Sequence, residues 1–140
     1  MYKSWFEGHD ANQKLDNLTE IKETMHEGGW YRANLVPDKL TLLVFNSLHL
    51  NAKQEKGTRN EFWITRELEW LEEQLSNANP TEKFLLEMHI YETADWWYAA
   101  FPNWKEDNHQ TKFLALMKKY HDKILFEVTG HDHMAGLRVH

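Results

Sequence analysis

Two stretches carry the side chains best suited to chemistry: the tetrapeptide Gly130-His131-Asp132-His133 and the single residue His89. Neutral imidazole is a good donor to first-row divalent metals. An H-x-H pair in extended backbone projects both rings to one side, because strand side chains alternate with a period of two, so His131 and His133 can serve one ion or two adjacent ones. Gly130 permits tight backbone geometry just ahead of the pair, which a bulkier residue would hinder. The chain has no cysteine, which removes disulfides, iron-sulfur clusters, thiolate zinc sites and cysteine nucleophiles together. Any metal must therefore sit on His, Asp, Glu or Asn.

The elements that position these histidines follow from hydrophobic spacing. Lys83-Phe84-Leu85-Leu86-Glu87-Met88 reads as a short buried strand delivering His89 at its carboxyl end, and Lys123 to Val128 as another, ending at Thr129-Gly130-His131-Asp132-His133. In open α/β sheets ligand sites gather just beyond such strand ends, where the chain turns away and leaves a crevice. Upstream, Leu15, Leu18, Ile21 and Met25 recur at helical spacing, with Asp10 as cap and Gly28-Gly29 as terminator. Trp30 to Leu35, the turn Val36-Pro37-Asp38-Lys39 and the apolar run Leu40 to Leu48 form a predicted hairpin, whose second strand is apolar enough to be covered on both faces. Thr58 and Glu61 form a capping box for a helix with Phe62, Leu68, Leu71 and Leu75 on one face, running to about Asn77 before Pro80. Phe113, Leu114, Met117 and Tyr120 mark a further helix, Ile90 to Asp107 a long aromatic loop, and Gly136 to His140 the start of a last strand. Alternating helices and strands give an α/β or α+β class, a mixed sheet flanked by helices, over residues 1–140 as a single unit.

Other residues are assigned no chemistry. Glu67, Glu69, Glu72 and Glu73 are placed on the solvated face of their helix, and His9, His26, His49, His109, His121 and His140 at the surface or the edge of the core. Trp96, Trp97 and Trp104 could floor a substrate pocket, although interior or subunit-contact packing is the commoner use. No Gly-rich phosphate loop, nucleophile elbow or H-E-x-x-H motif occurs, so no side chain is assigned as catalytic and substrate-binding residues are unknown. With 16 basic against 22 acidic residues and no basic stripe, nucleic acid is excluded as a partner. No apolar run approaches the roughly 20 residues of a membrane-spanning helix, and Met1 to Glu7 lacks the pattern of a secretory signal. Nothing in the residues fixes a compartment.

The order of motifs resembles the C-terminal half of calcineurin-like metallophosphoesterases, closest to the acid sphingomyelinase-like and endopolyphosphatase-like branch. Three stretches carry the resemblance: Glu27-Gly28-Gly29-Trp30-Tyr31 followed by Leu42-Leu43-Val44-Phe45-Asn46-Ser47; Leu68-Glu69-Trp70-Leu71-Glu72-Glu73-Gln74-Leu75 leading to Met88-His89-Ile90; and Lys119-Tyr120-His121-Asp122-Lys123-Ile124 leading to Gly130-His131-Asp132-His133. The resemblance implies half of a four-layer β-sandwich and hydrolysis of a phosphoric ester at a two-metal centre of zinc, iron or manganese. By the same resemblance His89 and His131 are ligands of one ion and His133 of its neighbour.

Met88 stands where that family has Gly, and Tyr91-Glu92-Thr93 where it has Pro-Pro-Gly; the Asp-x-His, Gly-Asp-x-x-Asp and Gly-Asn-His motifs of its first half do not occur. Two divalent ions about 3.5 Å apart repel by on the order of 20 kcal/mol at an effective dielectric near 20, which three neutral imidazoles cannot offset. The expectation is a fragment or split half, inactive alone, that contributes metal ligands to a site completed by a protein partner. The alternative is a catalytically silent structural subunit that keeps the fold. Either way one sheet face should be left open, with Leu42, Val44, Leu85 and Ile124 on it.

Overall fold

The computed structural model describes residues 17–53, 60–93 and 103–131. The spacing of Leu18, Ile21 and Met25 produces α1, Leu18–Glu27, on which Ile21 is fully buried. The expected cap Asp10 lies outside the described residues. Asn17 precedes α1 without capping it; its Nδ2 donates instead to the Arg32 carbonyl at 2.6 Å and ties the helix to the next strand. Beyond Gly28 the chain turns at Gly29, whose φ of +86° is backbone that glycine adopts without strain.

The expected hairpin forms, with β1 Tyr31–Val36 antiparallel to β2 Leu40–Phe45. Asp38 takes φ +57° in its turn, a conformation Asp tolerates better than most residues, and Lys39 N–H donates to the Val36 carbonyl at 3.0 Å. A 3-10 turn, Ser47–Leu50, replaces the tail of the apolar run. Helix α2, Glu61–Ser76, is capped by Asn60 and not by the expected box at Thr58, which lies outside the described residues. The Asn60 side chain accepts from the N–H groups of Phe62 and Trp63 at 3.2 and 3.4 Å. Then follow β3 Lys83–Met88, α3 Asn108–Lys119 and β4 Ile124–Thr129. Asp107 caps α3, its carboxylate accepting from His109 and Gln110 N–H at 2.8 and 3.2 Å.

The result is a mixed α+β sheet in the order β1-β2-β3-β4, in which β2, β3 and β4 run parallel and β1 antiparallel. Parallel neighbours need crossover connections, which α2 and α3 supply. Both pack into the same core cluster as the sheet. Alternation then decides burial: Thr41, Leu43 and Phe45 on β2 and Phe84, Leu86 and Met88 on β3 face the helices and are buried. The alternate residues Leu42, Val44 and Leu85 are only half-buried, so β2 is covered fully on one face and not on both as its apolar run predicts. Ile124, expected on the open face, pairs with Phe84 and packs against the core instead. An irregularity in the β3–β4 register follows it and turns Phe126 and Val128 outward, 55% and 47% exposed.

Trp104 is fully buried, stacks on Phe45 and meets Phe113 edge-on at 4.8 Å, and its indole N–H donates to the Ile90 carbonyl at 2.9 Å. It serves interior packing. Trp96 and Trp97 lie outside the described residues. At the end of the sheet away from the strand carboxyl termini, Glu82 is buried and accepts from Arg32 Nη2 at 2.6 Å, Thr41 Oγ1 at 2.5 Å and Asn79 N–H at 3.3 Å. That network joins β1, β2 and the entry to β3.

No helix among the described residues is long and apolar enough to cross a membrane.

Candidate metal centre

Strands β3 and β4 end side by side because they are parallel and in register, Met88 pairing with Thr129. One residue further, Gly130 N–H donates to the His89 carbonyl at 3.0 Å, which extends the pairing past the strand ends. His89 and His131 therefore emerge together. Their ring centroids are 5.3 Å apart and their planes 88° apart. Two imidazoles sharing one tetrahedral ion, each nitrogen near 2.1 Å from it, stand with centroids about 5 Å apart. The pair has a compatible separation.

The backbone here differs from the extended form that the H-x-H argument assumes. His131 has φ +75°, the left-handed region that non-glycine residues rarely enter. β4 ends two residues before it, so strand alternation does not set the direction of the His131 side chain. Such strain persists only where the surroundings hold it and is common at ligand sites. Gly130 matters for close approach: a Cβ there would stand 3.1 Å from His89 Nδ1 and 3.5 Å from Cε1. His133 and Asp132 lie outside the described residues. Among the described residues no three of His, Cys, Asp and Glu are already gathered tightly enough to hold an ion.

His89 borders a groove of about 440 Å³ along the carboxyl ends of the parallel strands, which also takes in Gly29, Asn46, Glu87, Thr129 and Gly130, the residue before His131. Glu87 is exposed on the open face of β3, two residues before His89. Its field reaches across the sheet to Tyr31, whose phenol is raised above its ordinary value by burial first and by this carboxylate second.

The far wall is set by Asn46, which the sequence does not single out. Its backbone N–H donates to the carboxyl of Glu67, its Nδ2 donates to the Gly28 carbonyl at 2.8 Å, and His49 Nε2 lies 3.1 Å from that Nδ2. Glu67 is fully buried, contrary to its expected place on the solvated face of α2. Burial pushes its carboxyl up to about 8, against the opposing pull of the Asn46 N–H. The signal was present: Glu67 falls three residues after Ile64 and four before Leu71, in phase with the buried stripe. Of the remaining histidines, His26 and His121 are exposed and His49 and His109 half-buried, while His9 and His140 lie outside the described residues.

The architecture is thus a helix-backed mixed sheet with a histidine-bordered groove at its parallel strand ends. Compared with known proteins, the chain matches no family model and no curated sequence.

Proposed function

We propose that this chain is one half of a metal-dependent phosphoesterase, contributing His89, His131 and His133 to a two-metal centre that a protein partner completes. The juxtaposition of the His89 and His131 rings, 5.3 Å between centroids at the carboxyl ends of adjacent parallel strands, carries this reading. Zinc, iron or manganese bound there would polarise a phosphoric ester and stabilise charge on the transferring phosphoryl group. The chain's own part is to hold two neutral nitrogen donors at fixed separation, with Gly130 keeping the His89 ring against the β4 end.

The partner belongs to the same reading. The open sheet face with Leu42, Val44, Leu85, Phe126 and Val128 is the surface for a second sheet, which packs about 10 Å away and seals such a face. That sheet must bring the carboxylates, because two ions need more negative charge than imidazoles provide. The same apolar face equally suits a catalytically silent subunit of a larger assembly, and the replacement of Pro-Pro-Gly by Tyr91-Glu92-Thr93 after His89 favours that second reading.

Calorimetric titration with Zn²⁺ and Mn²⁺ tests the proposal, using the chain alone and with a candidate N-terminal half. One weakly held ion alone and two tightly held ions in the complex, lost in His89→Ala and His131→Ala, is the expected result. Tight binding of two ions by the chain alone refutes the split site. A stable complex that takes no ion leaves the silent subunit.

A further inference from the structure

We infer that Glu87 is the anionic ligand of a single-ion site that this chain builds by itself, with His89 and His131 as the two nitrogen donors. The inference rests on the imidazole pair being a metal centre, as proposed above, and adds a ligand from within the chain.

The placement of Glu87 is the first ground. Along β3, Phe84, Leu86 and Met88 enter the core, so Leu85 and Glu87 lie on the open face, and continued alternation puts His89 on that face too. Residues two apart on a strand stand about 7 Å apart, a gap that an ion bound at about 2.1 Å by each side chain closes. Both line the one groove at the strand ends. His131 reaches the same place from β4, its ring edge-on to His89.

The second ground is charge. Across the sheet Glu87 pairs with Val44 on one side and Val128 on the other, and Leu85 precedes it on its face. These three neighbours are apolar and carry no positive charge, so an ion at the strand ends would meet a carboxylate that they do not neutralise. Two neutral imidazoles and one carboxylate form a facial donor set for a single divalent ion and leave positions open. One carboxylate neutralises half the charge of one ion, whereas two ions still need carboxylates from the partner. Glu87 is exposed, so its carboxylate can turn about its own side-chain torsions to meet the two rings.

The test is Co²⁺ and Zn²⁺ binding by the full 140-residue chain, read by the visible spectrum of Co²⁺ and by its displacement with Zn²⁺. Partners that merely hydrogen-bond a ligand change affinity by about 10–100-fold, so Glu87→Gln is expected to weaken binding at least that much, with a changed Co²⁺ spectrum. Glu127→Gln is the control: it pairs with Leu86 and leaves the opposite face of β4, so binding is expected unchanged. Circular dichroism checks that each variant folds. If His89→Ala abolishes binding while Glu87→Gln binds as tightly as the unaltered chain, the Glu87 assignment is wrong and the histidine centre stands. If the unaltered chain takes up no ion, the single-ion site with Glu87 is overturned, while the partner-completed histidine centre is decided separately by the titration of the complex.

Discussion

The carboxyl of Glu67, buried inside α2, accepts a hydrogen bond from the backbone N–H of Asn46, the first residue beyond β2. A helix acid thereby fixes the loop that walls the groove. Because burial lifts this carboxyl to about 8, the folded chain keeps the proton through neutral pH, whereas the unfolded chain releases it near the ordinary value of 4.5. Between these values the folded state binds more protons, so stability falls as pH rises and levels off above about 8. At about 1.4 kcal/mol per unit the swing is several kcal/mol. Urea midpoints at about pH 5, 7 and 9 are expected to decline in the unaltered chain and to stay flatter in Glu67→Gln, which keeps an acceptor for Asn46. Parallel profiles would show that Glu67 is not the group responsible.

At the opposite end of the sheet the Arg32–Glu82 pair predicts a stability effect without a binding effect. Glu82 is 2% exposed and Arg32 20%, so Arg32→Met strands a buried carboxylate, a loss of about 3–5 kcal/mol when one partner of a buried pair is removed. Thr41 and Asn79 still donate to it, which places the expected loss at the lower end. Adding Glu82→Gln removes the stranded charge and should recover part of it. Denaturant titration of the two variants checks the order, and ion binding at the histidines is expected unchanged in whatever fraction stays folded.

The open face makes a prediction about association. Phe126 and Val128 are half-exposed and lie on a sheet face that also carries Leu42, Val44 and Leu85. Phe126→Asp should shift stability by no more than about 0.5 kcal/mol, as surface changes usually do. The same substitution should prevent assembly with a second sheet, since it buries a charge in the interface core. Sedimentation of the chain with a candidate half, comparing the two forms, gives the answer; equal complex formation would move the interface elsewhere.

How much of this was legible in the sequence depends on which physical signal each residue obeys. The strands before His89 and His131 were readable because apolar runs bounded by turn residues fix them locally, and the hairpin because Pro37-Asp38 fixes its turn. Sheet order and register come from packing between distant segments, so the choice of Ile124 for the core and Phe126 for the open face was not visible where Ile124, Leu125 and Phe126 are all apolar. Glu67 was misplaced because its charge was weighed above its helical phase. The cap moved from Thr58 to Asn60 since both residue types cap well and the register of the helix decides between them. Tight backbone geometry was expected at Gly130 and an extended backbone at the histidines; the left-handed residue is His131, where residue type gives no sign of it.

Gly130 offers the sharpest separation of site geometry from fold. A methyl group there would stand 3.1 Å from His89 Nδ1, closer than side chains normally come, but the obstructed atom belongs to an exposed imidazole that can swing aside. Gly130→Ala should therefore cost little stability, because the loss of unfolded-state entropy, about 0.4–1 kcal/mol in favour of Ala, offsets the contact. The displaced ring no longer stands at the separation from His131 that one ion requires, so Co²⁺ affinity should fall by about tenfold or more, as misplaced ligands do. Paired measurements of melting temperature and Co²⁺ affinity decide it: a variant that melts lower yet binds normally would mean that the glycine serves the fold and not the two rings.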